Sequence, residues 1–120
     1  MFKVKTTELG DIFVTQEVVE TIAGLATIDC YGLVGMVPQN IQSEISSMLG
    51  IESIRKGVAV SRSENGLIID VHVIVGYGIK IKEVAHNVMQ KVRYVLETNA
   101  GIPVVAVNVN IKGVKIIKEK

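Results

Sequence analysis

Hydrophobic positions along the chain change period several times, and each period predicts an element. Val18, Val19, Ile22, Ala23, Leu25 and Ala26 follow helical spacing behind Thr15, a suitable N-cap, which predicts a helix over 16–27. Ile41, Ile45, Met48 and Leu49 predict a short second helix over 40–49, with Gly50 as its stop. Ile81, Val84, Ala85, Val88, Val92, Val95 and Leu96 recur at i, i+3, i+4 and i+7, and Gly101 stands beyond them as a C-cap: a long third helix.

Alternation takes over elsewhere. Gly57 to Ser63 and Leu67 to Val75 are β-branched runs flanking Glu64-Asn65-Gly66, a hairpin signal in which Asn-Gly supplies two positive-φ positions. In the second run Ile69, Val71, Val73 and Val75 share one face while Ile68, Asp70, His72 and Ile74 share the other, so one face is core and the other mixed. After Pro103 a last strand sets Val105, Val107, Val109 and Ile111 on one face, Asn108 and Asn110 on the other. Phe2 to Thr6 with Ile12 to Val14 reads as a weak hairpin or a lone strand behind an arm, and Cys30 to Val37 as a buried strand or a tight loop, ended by Pro38.

Val and Ile make up 36 of the 120 residues against 6 Leu, which favours a sheet over a helical bundle. Strand, helix, strand in succession implies a crossover and a parallel pair, and the hairpin adds an antiparallel partner. The expected fold is α+β: a small mixed β-sheet with a β-hairpin and a βαβ crossover, helices packed mainly on one face. The 120 residues amount to one domain, with a core of about 10–114 and a basic tail at 115–120.

Composition narrows the function by exclusion. Apolar runs fall far short of the roughly 18 residues of a membrane span, and the N-terminus lacks a secretory pattern, so a cytoplasmic location is expected. One cysteine rules out an internal disulfide or a Cys-rich metal site, and a net charge of +1 gives no global pull toward nucleic acid or membrane. The charge is uneven, since residues 112–120 carry a local +3, with Lys112, Lys115, Lys118 and Lys120 as a basic contact tail or a solvated terminus.

Three motifs match a known chemistry only in part. Gly76-Tyr77-Gly78 sits where a dinucleotide fingerprint would, but Ile81 takes the third glycine's place and no acidic residue ends the next strand; a tight turn is expected. Gly32-Leu33-Val34-Gly35 matches the GXXG backbone clamp in letters, yet no Lys or Arg lies between Ile12 and Ser53, so glycine packing is expected and nucleic-acid binding is not. Cys30, His72 and His86, with Asp70 beside His72, do not have the spacing of a catalytic set or a metal site, and no enzyme or cofactor is expected. The mixed strand face remains: Ile68, Asp70, His72 and Ile74 are either covered core or an interaction surface.

Several segments in order resemble the alkaline shock protein family of Gram-positive bacteria, also described as envelope stress response proteins. They are Ile22-Ala23-Gly24-Leu25-Ala26, Cys30-Tyr31-Gly32-Leu33-Val34-Gly35-Met36, Lys56-Gly57-Val58 and Val75-Gly76-Tyr77-Gly78. They continue through Ile81-Lys82-Glu83-Val84-Ala85-His86-Asn87-Val88 and Val107-Asn108-Val109-Asn110-Ile111-Lys112-Gly113-Val114, covering roughly 10–114, and are most similar to the short, constitutive branch. The resemblance implies a non-enzymatic cytoplasmic protein tied to envelope homeostasis, a homo-oligomer reaching the membrane through a separate anchor protein. The alternative it implies is a regulatory partner of a lipid-metabolic enzyme, of fatty-acid kinase or acetyl-CoA carboxylase type. It carries over no catalytic residue, and the long charged extension that could serve as an anchor is absent from this sequence. The expected contact surface joins Ile68, Asp70, His72 and Ile74 to Gly32, Gly35 and Met36.

Overall fold

The computed structural model describes residues 1–38 and 50–116, with only the backbone at 50–52. The element order is β1 (Phe2–Thr7), β2 (Gly10–Val14), α1 (Gln16–Ile28), β3 (Leu33–Met36), α2 (Gly50–Lys56), β4 (Val58–Ser63), β5 (Gly66–Gly76), α3 (Ile81–Val95) and β6 (Val104–Lys115). Strands β1 and β2 pair as an antiparallel hairpin, so this segment is a hairpin and not a lone strand behind an arm.

The central strand is β5. It pairs along one edge with β6, in parallel, and along the other with β4 and then β3, both antiparallel. This mixed sheet is the one the alternation predicts. Ile69, Val71, Val73 and Val75 have no solvent exposure and share a core with Val19, Ala23 and Ala26 of α1 and Val84, Val88 and Val92 of α3. The helices therefore lie on the odd-numbered face of β5, where each apolar side chain is removed from water.

Local chemistry fixes the ends of the helices. The Thr15 hydroxyl accepts the Val18 N–H at 3.2 Å, the N-cap expected from the sequence. α3 runs into one π-helical turn, Leu96–Ala100, closed by Gly101 at φ +69°. Arg55 of α2 reaches Glu17 at 3.3 Å and Glu20 at 3.8 Å on α1, and Ile54 of α2 packs so closely on Gly24 that a Cβ there would force it to shift.

Three expectations are corrected and one falls outside the described residues. Gly50 does not stop a helix but is itself helical, within α2, whose last turn carries Arg55 and Lys56; the helix predicted over 40–49 lies outside the described residues. The β4–β5 turn is built from Glu64 and Asn65, because Ser63 pairs with Gly66, and neither has positive φ. Gly66, at φ +148°, is the first strand residue, chosen because its α-carbon lies against Pro103. Val105 is 39% exposed instead of facing the core with Val107: the register of β6 slips between Val104 and Ala106, so Val104 takes the inward place and Val105 is the bulged residue.

Candidate functional site

The face of β5 opposite the helices carries Ile68, Asp70, His72 and Ile74. Its neighbours are small or amide-bearing: Ser61 and Ala59 of β4 stand opposite Ile68 and Asp70, Gly35 of β3 opposite Ile74, and Ala106, Asn108, Asn110 and Gly113 of β6 flank the four in turn. Short side chains on both sides leave Ile68 and Ile74 half-buried, while Asn108 donates to the Asp70 carboxylate at 2.8 Å and Asn110 to the Val71 carbonyl at 3.2 Å.

His72 occupies the point where β5 changes partner. Its N–H donates to Gly57 O at 2.9 Å, just ahead of β4, and its carbonyl accepts the Val37 N–H at 3.1 Å, just past β3. The residue is 8% exposed, and neither ring nitrogen has a hydrogen-bond partner. Burial pushes its pKa below the usual histidine range, Lys112 adds to that, and Asp70 opposes both. The ring is therefore held neutral among the apolar and amide groups of this face.

The structure separates the other residues singled out in the sequence. Met36 is 6% exposed and packs against Gly57, so it belongs to the core instead of the contact surface, as the residue next to an outward Gly35 must on a two-residue period. Gly32, at φ +96°, also turns inward: a Cβ there would stand 2.9 Å from Val84 and 3.1 Å from Ile79. Gly35 is open, with nothing within 4 Å of where its Cβ would be. Gly76-Tyr77-Gly78 forms a tight turn, with Ile79 N–H donating to Gly76 O at 3.4 Å and Gly78 at φ +90°.

Cys30, His72 and His86 do not meet. The Cys30 thiol is partly buried, donates to Ala26 O at 3.5 Å and is pushed upward in pKa by burial, the opposite of an activated nucleophile. His86 is exposed on α3, on the other side of the sheet from His72. Among the described residues no group of three or more His, Cys, Asp or Glu could hold a metal. Lys112 and Lys115 are exposed at the end of β6, whereas Lys118 and Lys120 lie outside the described residues. Asn108 and Asn110 also belong to this face: alternation sets them opposite the valines of β6, but only the parallel register sets them beside Asp70 and His72.

No described helix is long and apolar enough to cross a membrane. The chain is 40% identical over 111 residues to the uncharacterized protein YloU of Bacillus subtilis, covering 92% of each chain. An uncharacterized protein of Streptococcus pyogenes, Spy1614, is 32% identical over 114 residues, 94% of each chain. A second Bacillus subtilis protein, the uncharacterized YqhY, is 30% identical over 109 residues, 91% of this chain and 80% of its own. No solved structure matches. The family model for alkaline shock protein 23, described by a cell envelope-related function, matches residues 4–116, and the chain belongs to that family.

Proposed function

We propose that this protein is a non-enzymatic scaffold or adaptor of the cell envelope, working in the cytoplasm through self-association and protein contacts, with any membrane attachment supplied by a partner. The observation that carries the reading is the face of Ile68, Asp70, His72 and Ile74 on the side of β5 opposite α1 and α3, half apolar and bordered by Gly35, Ala59 and Ala106. Small neighbours let another backbone approach, and half-buried isoleucines give it apolar area to cover. The cysteine and histidines, held apart and two of them in desolvated surroundings, support a role in contacts over a role in catalysis.

The test is in-cell crosslinking of the tagged full chain, wild type beside Ile74→Asp, with circular dichroism of both. Recovery of the chain itself or of a membrane-anchored protein, lost in a folded Ile74→Asp variant, supports the scaffold. Recovery of a soluble lipid-metabolic enzyme would replace the scaffold with the regulator reading. An identical set of adducts from both forms would overturn the assignment to this face.

A further inference from the structure

The two edges of the main sheet are treated differently. At the β4 edge the Arg62 side chain donates to Met1 O and lies over the Phe2 ring at the start of β1, 4.6 Å from its centroid. Among the described residues, side chains bond the β6 edge only at its start, where Arg93 donates to Val104 O at 2.8 Å and Val105 O at 2.9 Å and Glu97 accepts the Val104 N–H at 3.2 Å. Beyond that point β5 is the only strand paired with β6 among the described residues.

Register shifts at Val105 and Lys112 bound the regular part of this edge, leaving Ala106-Val107-Asn108-Val109-Asn110-Ile111 as six residues without interruption. An unpaired strand of this kind is a template for another strand, and proteins that must stay apart block it with charge, proline or bulges. Here the blocking devices stop at the two ends.

The sequence of the bare segment matches itself when reversed. About a two-fold axis at Val109, antiparallel pairing sets Asn108 opposite Asn110 of the second copy, Val107 opposite Ile111, and Val109 opposite Val109. Both amide pairs fall on the outer face, where they form an Asn ladder, and all the β-branched pairs on the core face, where they suit a pleated surface. Lys112 falls opposite Ala106, so no two like charges meet within the segment.

We infer that this edge is a homotypic interface: β6 pairs antiparallel with β6 of a second copy about Val109, joining two sheets into one. The inference rests on the self-association proposed above and names an edge where that reading names a face.

The test uses the full chain in a Cys30→Ser background. Asn108→Cys and Asn110→Cys variants are oxidised singly and mixed, and disulfide-linked dimer is measured. The register predicts several-fold more dimer in the mixture than in either variant alone. Separately, Asn108→Lys combined with Asn110→Lys places lysines opposite lysines, and sedimentation is expected to show a folded monomer where wild type is a dimer. A wild type that stays monomeric at every concentration overturns the inference, as does equal crosslinking in all three samples. A dimer that survives the lysines but is lost in Ile74→Asp overturns the edge and leaves the face reading standing. The reverse result supports the edge and removes the face from self-association.

Discussion

Gly66→Ala is the sharpest test of how β5 and β6 are set beside each other. A Cβ at Gly66 would lie 2.5 Å from the Pro103 carbonyl oxygen and 2.9 Å from its carbon, both backbone atoms. That carbonyl accepts the Leu67 N–H at 3.0 Å, so it cannot withdraw without losing the first hydrogen bond between the two segments. The φ of +148° adds backbone strain of about 1–3 kcal/mol for a non-glycine residue. Overpacking adds about 1–3 kcal/mol. Together they amount to roughly 2–6 kcal/mol, a large share of a domain's total of about 5–15 kcal/mol.

Gly35→Ala is the matched control. Nothing lies within 4 Å of its added methyl and its φ is not positive, so alanine mainly restricts the unfolded chain, worth about 0.4–1 kcal/mol of stabilisation. Urea melts followed by circular dichroism compare the two. A Gly66→Ala protein within about 0.5 kcal/mol of wild type, the range of an ordinary surface change, would refute the reasoning. Equal losses at the two glycines would refute it as well.

Three further outcomes follow from the packing and the buried imidazole. Leu96→Ala, at a side chain with no exposure where α3 passes into the π turn, is expected to cost about 2–5 kcal/mol in the same melts. Thr15→Ala removes the acceptor for Val18 N–H and should cost about 0.5–2 kcal/mol, with Thr15→Ser restoring most of it. His72 has a folded pKa below its unfolded value near 6.5, so the unfolded chain binds the proton more readily; its contribution is complete above that pH and is lost as pH falls below it. Melts between pH 7.5 and 5.5 should show wild type losing more stability on acidification than His72→Leu, and parallel curves would reject the buried neutral imidazole.

Much of this architecture is legible in residue order because periodicity and burial agree. Val84, Val88 and Val92 are the inward stripe of α3 and Val71 and Val73 the inward side of β5, as their spacing requires. The π turn and the bulge at Val105 are not legible: each inserts a residue that breaks the local period, and only packing against β5 and Gly101 shows where the extra residue goes. The turn misleads for a related reason. Asn65-Gly66 reads as a central pair, but the close approach of Pro103 claims Gly66 for the strand and shifts the loop to Glu64-Asn65.

The face of Ile68, Asp70, His72 and Ile74 is half legible. Alternation separates Ile68, Asp70, His72 and Ile74 from the core residues between them, yet period alone does not tell which partners flank them. Residue order joins Met36 to the surface, whereas it belongs to the core, because its direction depends on how β3 pairs with β5. Asn108 and Asn110 join the face only through the parallel register.

The central claim, that the face of Ile74 makes protein contacts in the cell, is tested most directly by a photo-crosslinking amino acid placed at position 74 of the full chain. The control position is Tyr94, 65% exposed on α3. Discrete adducts containing the chain itself or a membrane-anchored protein are expected from position 74, and none of these from position 94. No adduct from position 74, or the same adducts from both positions, would contradict it.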